Sequence, residues 1–232
     1  MIRFPFLEKH GVTAVMSDIG DGDCCTRKGS EAFLASSETA SHESLLLVDQ
    51  VHGVRLVDSA SCDGLIEADG ILSDYPGALL GIRVADCVPI LMYDPINRAC
   101  AAVHAGREGT FQGIAGKAVG TMEGRFGSLP GELKVGIGPS AGPCCYEVGD
   151  DIREAFVKNG GVSSETNLDL WQTNRDQLVK AGVLAENVRI EGICTICSGK
   201  YHSYRGTKTA ARNLVVLGIP KAQVKHAHVL TH

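Results

Sequence analysis

Short apolar runs bounded by Gly, Asp and Pro dominate the chain from residue 45 onward. LLLV (45–48), VRLV (54–57), ILS (71–73) and LLGIRV (79–84) are too short for helices and rich in branched residues, so they predict strands. PILMY (89–93) and ACAAVH (99–104) flank Asp94-Pro95-Ile96-Asn97, the composition of a hairpin turn. LKVGIG (133–138), VRIEGI (188–193) and NLVVLGI (213–219) predict three more strands, the last two closing the domain. Helical periodicity appears three times. The first stretch spans roughly 110–125, from near Thr110 to a stop at Gly127. The second, 149–158, puts Ile152, Ala155 and Phe156 on one face. The third, 169–181, carries Leu170, Trp171, Leu178 and Val179 and stops at Gly182. Ser17 to Ser44 has the weakest pattern and reads as a long loop or flap, within an irregular segment 1–44. Residues 220–232 read as a polar tail. Short strands with three helices and no regular βαβ repeat predict α/β architecture of the α+β type, mixed sheets flanked by helices in a single domain.

Composition narrows this picture. With 232 residues and 44% hydrophobic content the chain can bury a sizeable core, and 21% charged residues of both signs exclude a disordered chain. The net charge of −5 and the absence of a Lys/Arg cluster argue against nucleic acid or an anionic membrane as partner, while leaving room for a local basic pocket. MIRFPFLEKHG lacks the charged leader and apolar run of a signal peptide, and no stretch reaches the length of a membrane span, so a cytoplasmic protein is expected. Nine cysteines are many for that compartment, and an odd number cannot all pair.

The chemistry-bearing residues sit at strand ends. QVHG puts His52 just beyond one strand, ADC puts Asp86 and Cys87 beyond LLGIRV, and AVHAG puts His104 at the end of ACAAVH. Two imidazoles and a thiolate suit zinc better than a harder ion, and three protein ligands leave the fourth tetrahedral position open, as catalysis requires. The bland alternative is a buried cysteine and two satisfied histidines. Cys194 and Cys197 form a CxxC that, with Cys144 and Cys145, is either a second, all-cysteine zinc site or a set of inert structural thiols. His226, His228 and His232 are either adventitious metal ligands or part of the tail.

QVHG (50–53), ADG (68–70), ADCVPI (85–90), VHAG (103–106), GPSAGPCCYEVG (138–149), NRDQLVKAGV (174–183), CT (194–195) and SYR (203–205) occur in the order found in the laccase-domain, YfiH-like family. The chain resembles that family over roughly residues 45–219. The resemblance implies a YfiH-like fold and zinc held by His52, Cys87 and His104. It also implies phosphorolysis of purine nucleosides, with adenosine deamination as a second activity. The substrates so implied are a purine nucleoside and phosphate. Two departures stand out: the usual HAGWRG reads HAG-Arg107-Glu108-Gly109 here, and the usual NLG-type N-terminal stretch is missing.

Within that frame Asp86 is a candidate general acid/base or a turn cap. Arg205 and Arg107 are candidate phosphate ligands, because a planar guanidinium matches the oxyanion bidentately, or surface ion-pair residues. Gln50 is a candidate to orient a metal ligand or hydrogen-bond a purine edge, or is simply a solvated residue at a strand end. Tyr146 and Glu147 are placed to line the pocket, Glu147 alternatively serving as a helix N-terminal acid. Rival functions are an editing role on a nucleotide-linked cell-wall precursor, a metal-stabilised binding module, and a copper polyphenol oxidase. The last is disfavoured, since of eight histidines three lie in the tail and the only HxH pair is His226-Ala227-His228.

Overall fold

The computed structural model describes residues 1–37, 44–61 and 64–221. The first half of the chain comprises β1 (Ile2–Arg3), α1 (Pro5–Glu8), β2 (Thr13–Met16), α2 (Arg27–Ser36), β3 (Ser44–Leu47), β4 (Leu56–Asp58), β5 (Gly70–Ser73), β6 (Ala78–Val84), β7 (Val88–Asp94) and β8 (Ala99–Ala105). The second half adds α3 (Arg107–Phe111), α4 (Ile114–Phe126), β9 (Lys134–Ile137), α5 (Asp150–Lys158), β10 (Val162–Ser164), β11 (Asn167–Asp169), α6 (Leu170–Lys180), β12 (Val188–Ile190), α7 (Tyr204–Thr207) and β13 (Asn213–Gly218).

Two mixed sheets and a small hairpin, β10–β11, result. One sheet runs β1-β2-β13-β6-β3 and the other β12-β9-β7-β8-β5-β4. The pairs β3–β6, β4–β5 and β9–β12 are parallel and the remaining ladders antiparallel. The alternation of side chains along each strand explains the layering. Leu80, Ile82, Val215, Leu217 and Met16 of the first sheet meet Ile71, Leu91, Tyr93 and Ala102 of the second in one apolar cluster. The opposite face of the second sheet, with Ile90, Met92, Val103 and Val135, packs on Ala115, Val119 and Met122 of α4 and Leu178 of α6. The opposite face of the first, with Val15, Leu79, Leu214 and Val216, packs on Phe33 of α2. The order is helix, sheet, sheet, helices. Strands buried on both faces read as continuous apolar runs, which is why β6, β7, β8 and β13 were legible.

Several expectations need correction. The segment 1–44 is not irregular: β2 lies inside the first sheet beside β13. The stretch 17–44 holds α2, whose N-cap Thr26 accepts from the Gly29 amide. The signal was weak because β2 has only four residues and α2 buries only Ser30 and Phe33. The helix expected over 110–125 is two helices, broken at Gly113, whose φ of +80° lies outside helical space. Val179 and Ala155 face solvent instead of the core. β12 is only three residues long, and β13 sits in the middle of its sheet. His226, His228 and His232 lie outside the described residues. Among the described residues no helix is long and apolar enough to cross a membrane.

Phe33, 1% exposed, is the main anchor of α2. Phe33→Ala is expected to lower unfolding free energy by about 3–5 kcal/mol, the usual cost of such a cavity. Urea unfolding read by circular dichroism checks this, and a loss under about 1 kcal/mol would mean that α2 is not docked on the sheet.

Candidate metal centre and active-site cleft

The antiparallel register of β7 and β8 pairs Val88 with Ala105 and Pro89 with His104. Cys87, immediately before β7, therefore lies beside the end of β8 that carries His104. β5 flanks β8 on its other side, pairing Gly70 with Val103, so Asp69 comes next to His104. A parallel bridge between Asp49 and Glu67 brings the QVHG segment to the same edge. Three stretches distant in sequence thus converge at one edge of the second sheet.

One ligand atom from each of His52, Cys87 and His104 lies within 4.8 Å of the others. Asp69 organises this group. Its carboxylate, fully buried, meets His104 Nδ1 at 2.8 Å and accepts the His52 and Gly53 amides at 2.9 and 2.6 Å. With Nδ1 committed to Asp69, Nε2 is left as the His104 donor atom. Burial pushes the Asp69 pKa up, but the hydrogen bonds from His104 and the two amides outweigh it and hold the carboxyl below its usual range. Burial likewise raises the Cys87 pKa, yet His104 and His52 bring the thiol down to about 6. His104 moves the other way: burial lowers its pKa, and Cys87 and Asp69 raise it to about 9. The group favours a thiolate, the form a metal takes. Gly106 completes it, since a Cβ there would stand 3.3 Å from both Cys87 Sγ and the His52 ring. A thiolate and two imidazoles around a space kept clear of side chains fit a zinc-type ion with an open coordination position.

The cleft above this group has a volume of about 710 Å³. Gln50, Arg107, Tyr146 and Arg205 line it together with the three ligands, as do Arg83 and Arg212. Residues 85–87 carry the chain from one sheet to the other, with Asp86 at a φ of +85°. Both Asp86 carboxylate oxygens are engaged: one accepts Thr195 Oγ1 at 2.7 Å, the other the Arg205 amide at 2.6 Å. Asp86 thereby ties the 194–205 stretch to the candidate ligand Cys87 beside it. The Gln50 amide is likewise committed, donating to the Arg83 carbonyl and accepting the Arg83 amide, both at 2.7 Å. Arg205 stacks on the Tyr146 ring with its guanidinium carbon 4.6 Å from the centroid, and donates to the Glu147 carbonyl at 2.7 Å. Burial raises the Tyr146 pKa against the pull of Arg205. The Glu147 residue borders an adjoining hollow with Arg107, Val148 and Arg205 and does not line the main cleft.

A family model described as multi-copper polyphenol oxidoreductase laccase matches residues 10–220. The chain belongs to this laccase family. Its fold is that of solved relatives: YlmD from Geobacillus stearothermophilus superimposes with a TM-score of 0.79 at 28% identity, covering 91% of this chain and 93% of that one. The YfiH protein of Bacillus licheniformis gives 0.78 at 25% identity. Among curated laccase-family relatives, a Deinococcus radiodurans protein named purine nucleoside phosphorylase is 32% identical over 198 residues, 83% of this chain and 77% of its own. A Bacteroides thetaiotaomicron protein of the same name is 37% identical over 137 residues, 55% of this chain and about half, 51%, of that relative.

Sequence reasoning missed Asp69, Arg83, Gly106 and Arg212. The ADG motif pointed at Asp69, but nothing in its spacing tells that it faces His104. Asp69→Asn is expected to weaken metal binding by the His52, Cys87 and His104 group roughly 10–100-fold, the usual effect of losing a partner that orients a ligating histidine. Competition with a chromophoric chelator measures it, and unchanged affinity would show that Asp69 does not set the His104 donor.

Proposed function

We propose that this laccase-family chain is a zinc-dependent purine nucleoside phosphorylase, with adenosine deamination as a side activity. The observation that carries this reading is the convergence of His52, Cys87 and His104 at the foot of a cleft lined by four arginines, Arg83, Arg107, Arg205 and Arg212. The names of the curated relatives point the same way. In phosphorolysis a phosphate oxygen bonds to C1′ of the ribose while the bond from C1′ to the purine nitrogen breaks, giving ribose 1-phosphate and a base that takes up a proton. The arginines supply the charge that draws an anionic co-substrate into the cleft of a protein whose net charge is −5. Arg83 lines the cleft beside Gln50 and the other arginines. Tyr146, backed by Arg205, offers an aromatic face for the base. Asp86, with both oxygens engaged, positions Arg205 and Cys87 rather than carrying a proton. Zinc held by His52, Cys87 and His104 would supply Lewis acidity or an activated water, the latter serving deamination.

A multicopper oxidase fits the donor set poorly. Among the described residues the groups able to hold a metal are this His/Cys/His triad and one all-cysteine cluster, with no histidine-rich cluster beside them. An editing role on a nucleotide-linked precursor would use the same cleft, and the assay below separates it.

Purified wild type is expected to release hypoxanthine from inosine and adenine from adenosine only when phosphate is present, and His52→Ala to lose both metal and turnover. Inosine formed from adenosine without phosphate reports deamination. Full metal loading with no cleavage of either nucleoside would overturn the phosphorylase reading. Arg205→Ala is expected to raise the KM for phosphate roughly 10–100-fold, the worth of a charged hydrogen bond. An unchanged phosphate KM would remove Arg205 from phosphate binding.

A further inference from the structure

Four cysteines cluster outside the cleft: Cys144 and Cys145 in the loop after β9, and Cys194 and Cys197 in the loop after β12. Their four Sγ atoms all lie within 4.8 Å of one another. Cys144 Sγ and Cys197 Sγ, from different loops, are 3.8 Å apart. A tetrahedral zinc with Zn–S bonds of about 2.3 Å has a sulfur–sulfur edge of about 3.8 Å, whereas a disulfide needs about 2.05 Å. The spacing also leaves room for a single ion and none for a multi-iron cluster. The Gly142 amide donates to Cys194 Sγ at 3.3 Å, the kind of outer contact that stabilises a ligating thiolate. None of the four lines the main cleft.

We propose that Cys144, Cys145, Cys194 and Cys197 form a second, closed zinc site that staples the 138–149 loop to the 194–205 loop. Four protein ligands leave no position for substrate, so the site is structural. Its place in the fold gives it a purpose. One loop carries Tyr146, the other Arg205, and these two residues stack on one another in the cleft wall. Around the cysteines the two loops are joined by a bridge between Ser140 and Cys194 and by the Thr195 amide donating to the Ser140 carbonyl at 2.9 Å. Thr195, next to Cys194, reaches Asp86 beside the metal ligand Cys87. Neither loop contains a long element of its own to hold it, so an ion between them fixes the wall where the aromatic and the guanidinium meet. The proposal stands on the cysteine geometry and does not depend on which substrate the cleft takes.

Metal content of the full chain, purified with reductant and without chelator, tests it. About two zinc ions per chain are expected in wild type, one in His52→Ala, and one in the double variant Cys144→Ser/Cys197→Ser. Cobalt substituted into His52→Ala is expected to show the intense visible bands and sulfur-to-metal charge transfer of a tetrathiolate site, a readout that needs no cysteine variant to fold. One zinc in wild type and none in His52→Ala would overturn the proposal. So would four thiols that react freely with a disulfide reagent in the native, zinc-loaded protein.

Discussion

The buried carboxylate of Asp69 is the contact on which the arrangement of His52, Cys87 and His104 depends. A carboxylate removed from water is costly unless its oxygens are satisfied, and Asp69 is satisfied by the His104 ring and by two amides of the QVHG turn. These bonds fix three things together: the nitrogen that His104 presents, the conformation of the turn that carries His52, and the attachment of that turn to β5 and β8. His52 adopts a φ of +62°, which a side chain rarely takes up, and the amide bonds to Asp69 hold it there.

Asp86 plays a parallel part on the other side of Cys87. It too sits at positive φ, is buried, and has both oxygens taken, in this case by a side chain and an amide from the 194–205 stretch. The centre is therefore gripped from two directions by carboxylates that contact residues far away in sequence. One arranges the ligands and the other brings in the wall bearing Arg205. Beneath them the β7–β8 ladder, buried on both faces, supplies a base that side-chain packing makes stiff. Ligands on such strand ends are held more precisely than ligands on free loops.

The electrostatics of the cleft follow from the same convergence. Arg83 comes from β6, Arg107 from the start of α3, Arg205 from α7 and Arg212 from the entry to β13. In an acidic chain they form a local basic surface over His52, Cys87 and His104, with Tyr146 as its aromatic wall. Arg107, directly after the His104-Ala105-Gly106 turn, adds charge at the mouth.

The sequence by itself determined the long strands and a candidate donor set. Doubly buried strands must be apolar along their whole length, so β6, β7, β8 and β13 stood out, and His52, Cys87 and His104, each near a Gly or Pro where an apolar run ends, offered a candidate donor set. It determined much less where an element's stability comes from its neighbours. α2 is a polar helix held mainly by Phe33, β2 is four residues long, and β12 three, so none carries enough local pattern to be read without its partners. Partnership was likewise decided only by the tertiary structure. Gln50 and Asp86 were legible as polar residues beside the site, but their hydrogen-bonding capacity is spent on Arg83, Thr195 and Arg205, residues 33, 109 and 119 positions away. Asp69, Arg83 and Arg212 likewise gain their place beside the site only through the packed strands. Hydrophobic periodicity is a local property of the chain, whereas the pairing of a buried charge is settled by whatever the packed strands bring within 3 Å of it.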